Sequence, residues 1–191
     1  EDLAKGSKTP AFELAEGYDG VRKGYSFTGW QDDKGNNWPY DSDKGYAPVT
    51  GFLGRAISSM EDMKSESAPK WDLYEMSPLL DSSDITVKEW NKIATVIYEN
   101  YSKYDGFVVL HGTDTMSYTA SALSFMLEGL DKPVVFTGAQ IPLCELRSDG
   151  RDNLINSIII AGEGMVREVC IYFAGKLIRA NRSTKVSSED L

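Results

Sequence analysis

The spacing of apolar and polar residues divides the chain into helical and extended stretches. From Thr86 to Lys103, apolar residues recur every three or four positions, which predicts an amphipathic helix. Asp84 or Thr86 is suited to cap its start. The residues predicted to face inward are Trp90, Ile93, Ala94, Ile97, Tyr98 and Tyr101.

Short apolar runs between polar residues predict strands over 72–76, 107–110, 133–136 and 169–173. Further helices are predicted over 51–63, 117–130 and 151–161. The strand 107–110 is expected to be buried, and so is the helix 117–130, which is apolar nearly all round. Because strands and helices alternate from Trp71 onward, the predicted fold class is α/β, with a mostly parallel sheet and helices on both faces.

The first part of the chain has a different composition. It is rich in glycine, tyrosine and tryptophan and contains turn sequences such as Gly35-Asn36-Asn37. We expect residues 1–45 to form a flexible loop or insert with at most one short hairpin.

Charge and cysteine content narrow the range of functions. The net charge is −9, from 20 basic and 29 acidic side chains, which argues against nucleic acid and anionic membranes as partners. No apolar run approaches the ~18 residues of a membrane span. Cys144 and Cys170 lack metal-site spacing and suit a reducing compartment. No metal or cofactor is expected, because metal-ligand clusters and phosphate-binding loops are missing from the sequence.

Polar residues follow the strand 107–110 at its carboxyl end, the edge of an open α/β sheet where ligands bind. There, Thr113 places a hydroxyl beside the carboxylate of Asp114, a pairing that suggests an activated nucleophile. Asp114 could orient a lysine or hold a substrate ammonium group. The alternative is that both residues only cap the next helix. His111, the single histidine, is expected to be structural.

Lys185 is the candidate base, since a lysine in a partly desolvated site can lose its proton near neutral pH. It follows the next strand but one after 107–110. If that strand is parallel, Lys185 reaches the same edge as Thr113. The alternative is a solvated surface lysine.

The segment 81–84 should reach the same edge. The hydroxyls and amides of Ser82 and Ser83 can bind a carboxylate, and Asp81 can bind an ammonium group. The alternative is that the segment caps a helix, which we favour for Ser83 and Asp84.

Two more polar segments follow the strand 133–136. In 137–140, Gly138 permits close approach of the backbone to a ligand at Ala139, although an ordinary turn is equally compatible. The charged segment 147–152 could be a subunit contact, but we expect a solvated loop.

Taken together, these motifs resemble those of the L-asparaginase family. His111-Gly112-Thr113-Asp114-Thr115-Met116 resembles its second threonine motif, and Asn181-Arg182-Ser183-Thr184-Lys185 resembles its lysine motif. The segment 78–84 resembles the substrate-binding loop of the cytoplasmic type I enzymes, and 132–140 resembles the strand and loop after the threonine motif. Residues 46–49 and 51–53 are similar to the eukaryotic branch. The resemblance identifies 46–191 as an amino-terminal asparaginase domain, truncated at both ends.

The resemblance implies hydrolysis of L-asparagine to L-aspartate and ammonia through an acyl-enzyme on a threonine. It implies that Thr113, Asp114 and Lys185 form the catalytic triad. In this triad Lys185 is the base, Thr113 relays or activates, and Asp114 orients the lysine.

The resemblance also implies a substrate site. Ser82 would bind the α-carboxylate, Asp81 would border that site, and the backbone of Ala139 would face the side-chain amide. The implied substrate-binding residues are Asp81, Ser82, Ser83, Thr113, Asp114 and Ala139.

One family motif has no match. No Thr-Gly-Gly-Thr occurs in the chain, so we expect the strand that carries it upstream of Glu1, and the family's smaller second domain beyond Leu191. The family's sites are completed across subunits, which implies a homodimer or homotetramer. A tyrosine on a loop closes the site in the family, and the candidates are Tyr18, Tyr25, Tyr40 and Tyr46.

Two other functions stay open at this point. One is the amidase subunit of a tRNA-dependent amidotransferase, which the acidic charge and the segment 81–83 argue against. The other is a non-catalytic amino-acid-binding module, which the missing motif would favour. The choice between asparagine and glutamine as substrate is also open. The type I resemblance implies a cytoplasmic protein.

Overall fold

The computed structural model describes residues 51–143 and 145–187, together with the backbone of 40–41 and 45–46. The chain divides into two units, 1–49 and 50–191, which we treat separately. In the first, strand β1 (Tyr40–Asp41) pairs antiparallel with strand β2 (Gly45–Tyr46), in keeping with the predicted short hairpin. The rest of the predicted insert 1–45 lies outside the described residues.

The second unit alternates helices and strands. Its α-helices are α1 (Phe52–Ser59), α2 (Val87–Asn100), α3 (Met116–Met126) and α4 (Gly150–Glu163). Its strands are β3 (Phe107–Leu110), β4 (Val134–Thr137), β5 (Val169–Phe173) and β6 (Lys176–Arg179). Short 3₁₀ helices cover Glu61–Lys64, Ser82–Asp84 and Ala180–Arg182.

The four strands form one sheet in the order β3-β4-β5-β6. β3, β4 and β5 are parallel, with Phe107 opposite Val134 and Val134 opposite Val169. The expected mostly parallel α/β sheet is therefore confirmed. β6 was not predicted, and it runs antiparallel to β5. Its sequence is Lys-Leu-Ile-Arg, and all four residues are exposed, so it has only two apolar residues in place of the longer runs that identified the other strands.

The strand predicted over 72–76 is not observed. A strand is defined by ladder hydrogen bonds, and no segment in the described part of the chain pairs with the outer edge of β3. Glu75 makes a different contact, in which both carboxylate oxygens accept from the Gly51 N–H at 2.9 Å, just before α1. That carboxylate supplies an acceptor where the helix start has no side-chain cap.

Helices cover both faces of the sheet, as predicted. On one face α3 packs on β4 and β5, and α2 packs against α3 in the same core cluster, which includes Val134 and Phe136. On the other face α4 covers Val135. β4 is buried throughout, whereas β3 is only partly buried, because it has one strand neighbour in the described sheet. The prediction of a fully buried strand at 107–110 is therefore wrong.

The amphipathic helix forms where it was predicted, as α2. Thr86 caps it, and Glu89 completes a capping box by accepting from the Thr86 N–H at 2.9 Å. Ile93 and Ile97 are buried as expected, but Tyr98 is 80% exposed. Successive residues are rotated by about 100° around a helix, so Tyr98 lies at the margin of the face that Ile97 centres.

Helix α3 is less buried than its composition suggested. It ends at Met126, four residues before the predicted end, and Tyr118 and Phe125 are 67% and 70% exposed. Ala120 and Leu123 pack in the core while these two aromatic side chains lie on the opposite side. An apolar composition therefore did not require burial on every side.

Candidate active site

Three residues predicted to be catalytic meet at the carboxyl end of β3. Lys185 Nζ donates hydrogen bonds to Thr113 Oγ1 at 2.9 Å and to Asp114 Oδ1 at 2.7 Å. The lysine side chain is 21% exposed and the aspartate side chain is 66% exposed. Since the ion pair opens to water on the aspartate side, it contributes little to folding. It instead holds the amine against the threonine hydroxyl, within reach of proton transfer.

Lys185 reaches this edge by a route that the sequence did not predict. The strand before it is β6, which is antiparallel and leads away from the edge where β5 ends. The 3₁₀ helix Ala180–Arg182 then packs on α3. From there the chain continues to Lys185, which lies beside the start of α3. The strand 169–173 is parallel, as expected, but Lys185 does not follow it directly, because the unpredicted antiparallel strand β6 lies between them.

The segment 81–84 packs against the loop that carries Thr113. Thr115 Oγ1 donates to the backbone oxygen of Ser82 at 2.6 Å, and Ser82 is buried. A Cβ atom on Gly112 would lie 2.6 Å from Ser82 Oγ, so only glycine allows this approach. The Ser82 hydroxyl is thus placed beside the residue that precedes Thr113.

Asp81 and Ser83 interact mainly with each other. Asp81 Oδ1 accepts from the Ser83 N–H at 2.9 Å and from Ser83 Oγ at 2.8 Å. These two hydrogen bonds lower the pKa of Asp81. The geometry is that of a cap on the 3₁₀ helix, the arrangement favoured above for Ser83.

The loop after β4 lies next to the loop after β3. The His111 N–H donates to the Thr137 oxygen at 2.9 Å, which extends the β3–β4 ladder by one bond. A Cβ atom on Gly138 would lie 2.3 Å from the His111 oxygen, so glycine is needed here too. Ala139, the next residue, is partly buried.

Two polar residues at the start of α4 were missed. The segment 147–152 was expected to be a solvated loop, but the Asp149 carboxylate accepts from the backbone N–H groups of Gln140 and Ile141. Asn153 is buried and donates to the Gly138 oxygen at 3.0 Å. A signal was present, because an asparagine on the inward face of a helix needs buried hydrogen-bond partners.

His111 is structural, as expected. Nδ1 lies 2.7 Å from the Gly112 oxygen, and Nε2 lies 2.9 Å from Thr119 Oγ1. Because a carbonyl oxygen can only accept, Nδ1 carries the proton and Nε2 accepts from the threonine. Thr119 in turn accepts from Trp90 Nε1 at 3.0 Å. Burial lowers the pKa of His111, so the neutral ring is the favoured form.

This burial predicts a pH dependence of stability. In the unfolded chain His111 binds a proton near its ordinary pKa of 6.5, whereas the folded protein resists protonation. The unfolded state therefore holds more protons as the pH falls below 6.5, and the free energy of unfolding should decrease there. Denaturant titrations between pH 7.5 and 5.5 measure this, and His111→Gln should flatten the slope. An equal slope in the parent and the variant would refute the assignment to His111.

A cavity of about 320 Å³ lies beside the Lys185–Asp114 pair. Asp114 and Lys185 line it together with Tyr118 and Thr184.

Within the described residues, no group of three or more His, Cys, Asp or Glu side chains is arranged to hold a metal ion. No helix among them has the length and apolar character needed to cross a membrane.

Residues 40–191, which include the candidate site, are similar to known proteins. The sequence profile of the family described as Asparaginase, N-terminal matches residues 40–191. L-asparaginase 1 of Escherichia coli K12 is 51% identical over 148 residues, which are 78% of this chain and 44% of that protein. A Mus musculus protein named 60 kDa lysophospholipase is 53% identical over 118 residues, 62% of this chain and 21% of that protein.

A solved structure shows the same relationship. The crystal structure of L-asparaginase I from Vibrio cholerae O1 biovar eltor matches with a TM-score of 0.69 and 51% identity. The match covers 73% of this chain and 43% of that one. The chain thus spans less than half the length of the relatives it matches.

Proposed function

Since the chain belongs to the asparaginase family, through its N-terminal domain, we propose that the intact protein hydrolyses L-asparagine to L-aspartate and ammonia. The observation that carries the proposal is the placement of Lys185 Nζ between Thr113 Oγ1 and Asp114 Oδ1. An amine within 2.9 Å of a hydroxyl can take its proton when the hydroxyl attacks or relays. The high identity to an L-asparaginase over most of this chain supports the same reaction.

The proposed reaction proceeds through a threonine ester. A threonine oxygen attacks the carboxamide carbon while Lys185 accepts the proton, directly or through Thr113. The carbon–nitrogen bond then breaks, and the leaving nitrogen takes a proton to become ammonia. Water cleaves the ester and releases L-aspartate. By resemblance, the attacking oxygen belongs to the Thr-Gly-Gly-Thr motif, and Thr113 with Asp114 keeps the lysine in place.

The proposed substrate site uses the neighbouring loops. Ser82 would bind the α-carboxylate, with Asp81 and Ser83 at its border, and Asp114 would bind the α-ammonium group. The contact between Ser82 and Gly112 supports this arrangement, because it brings the serine next to the loop of Thr113. The backbone of Ala139 would face the side-chain amide.

Ser82→Ala should mainly weaken substrate binding. Loss of one hydrogen bond to a charged carboxylate is expected to raise KM by about 10- to 100-fold, with kcat changed only a few-fold. Steady-state kinetics with L-asparagine measure both constants. Ser67→Ala, in an exposed segment, serves as the control. A KM equal to that of the parent would exclude Ser82 from the carboxylate site.

We further propose a cytoplasmic homodimer or homotetramer that needs no cofactor and binds neither nucleic acid nor membrane. The net charge of −9 supports the last point. Cys170 is a buried free thiol whose pKa burial raises to about 12, so it is unreactive and suits a reducing compartment. We also propose that residues 1–45 form an insert and that residues 46–191 form the asparaginase N-terminal domain.

The test is product formation by the purified intact protein. Given L-asparagine alone, it should release ammonia and L-aspartate in equal amounts, and L-glutamine in a parallel assay measures the side-chain preference. Turnover that appears only with a partner protein and tRNA would instead indicate an amidotransferase subunit. Binding of L-asparagine without ammonia release would indicate a binding module.

A further inference from the structure

The loop after β4 is held by two side chains to which the reaction above gives no part. Asp149 directly precedes α4, and Asn153 lies one turn into that helix. Both Asp149 oxygens accept from the Gln140 N–H at 3.0 Å, and Oδ1 also accepts from the Ile141 N–H at 2.9 Å. A carboxylate is suited to this position, because it can accept several N–H bonds at once and donates none.

Asn153 connects three separate segments. It is 3% exposed, and its Nδ2 donates to the Gly138 oxygen and to Asp149 Oδ2, both at 3.0 Å. Its Oδ1 accepts from the Ala174 N–H at 3.1 Å. A neutral amide suits this position, because its NH₂ group donates to acceptor oxygens while its oxygen accepts from an N–H. An aspartate has the same shape, but it would place a negatively charged oxygen opposite the two acceptor oxygens of Gly138 and Asp149.

One of the segments that Asn153 connects, the loop after β4, lies against the loop that leads to Thr113. A Cβ atom on Gly138 would lie 2.3 Å from the His111 oxygen, so the backbone of this loop packs closely on the loop that leads to Thr113. Ala174 has a φ of +48°, a left-handed conformation that costs a non-glycine residue energy and is maintained only by its surroundings. Ala174 also begins the turn into β6, the strand that leads to Lys185.

We propose that Asp149 and Asn153 are positioning residues, which hold the backbone of Ala139 at the distance from Thr113 that attack on the substrate carboxamide requires. This inference rests on the proposed function. Neither side chain needs to touch substrate. Together they set the position of the backbone group expected to face the amide under attack.

The test uses isosteric substitutions with matched controls on the same helix. Asn153→Asp removes the two donated bonds, while Asn156→Asp changes an asparagine whose Nδ2 donates to the Asp152 oxygen within the same helix. Asp149→Asn keeps one acceptor oxygen and replaces the other with an NH₂ group, which then faces N–H donors in place of an acceptor. Asp152→Asn changes an exposed aspartate in the first turn of α4.

The measurement is kcat and KM for L-asparagine in the intact protein, per folded molecule, with the folded fraction determined by circular dichroism. Asn153→Asp and Asp149→Asn should each lower kcat by about 10- to 100-fold, since small misplacements of reacting groups carry costs of this size. KM should change by less than about threefold, because Ser82 and Asp114 lie on other loops. The controls should keep kcat within about twofold of the parent, as expected for changes away from the site.

The outcomes separate this inference from the proposed function. A folded parent without turnover overturns both. An active parent whose two variants melt at lower temperature but keep the parental kcat per folded molecule overturns the inference alone, because the bonds are then only structural. Should Asn153→Asp not fold, Asp149→Asn decides in the same way, since Asp149 is less buried than Asn153.

Discussion

Replacing Lys185 with methionine is expected to lower kcat for L-asparagine by at least about 1000-fold in the intact protein. Methionine keeps most of the apolar length of the side chain but removes the amine that contacts Thr113 Oγ1 and Asp114 Oδ1. The fold should survive, because the ion pair to Asp114 is exposed and contributes little to stability. Steady-state ammonia release and a thermal unfolding curve measure the two effects separately.

Lys176→Met is the matched control for this prediction. Lys176 is an exposed lysine at the start of β6, on the same hairpin that leads to Lys185. Its substitution should leave kcat within about twofold of the parent. If Lys185→Met retained more than about a tenth of the parental kcat, an essential base at this position would be excluded.

Thr113→Val is expected to have an effect of similar size. Valine has nearly the shape of threonine, so the change removes the hydroxyl that accepts from Lys185 Nζ and leaves the Lys185–Asp114 contact possible. Because catalytic groups act as a unit, loss of the hydroxyl should cost nearly as much as loss of the amine, about 1000-fold in kcat. Thr95→Val, on the exposed side of α2, is the control.

The kinetic constant that changes decides the role of Thr113. A fall in kcat with KM nearly unchanged supports participation in the chemical step. A rise in KM with kcat retained would show that the hydroxyl only binds substrate, and the assignment of Thr113 to the catalytic triad would then be wrong.

The spacing of apolar residues correctly predicted elements that bury one continuous apolar surface, such as an amphipathic helix or a core strand. Helix α2 forms with its expected cap, and β5 has the predicted bounds. The strand predicted over 72–76 fails because no described segment pairs with it in the sheet. β6 was missed for a different reason: its partner β5 directly precedes it, but its four residues are exposed and only two of them are apolar. The exposure of Tyr98 shows that periodicity locates a helix face better than it locates the edge of that face.

In the candidate site too, some residues could be predicted from the sequence and others could not. Thr113 and Asp114 could be singled out because a hydroxyl and a carboxylate follow an apolar strand, and Lys185 because its motif resembles that of a known family. The route to Lys185 through an antiparallel strand was not predictable from spacing. Asp149 and Asn153 were missed because their partners are backbone groups 8 to 21 residues away, which become neighbours only in the folded chain.

The most direct test is the rate of ammonia release from L-asparagine by the intact protein, measured for the parent, Thr113→Val, Lys185→Met and the double variant. The parent should turn over, each single variant should lose at least about 1000-fold, and the double variant should be no slower than the worse single variant, because one catalytic unit can be lost only once. A folded parent without turnover, or losses that multiply in the double variant, would contradict a site in which Thr113 and Lys185 act together.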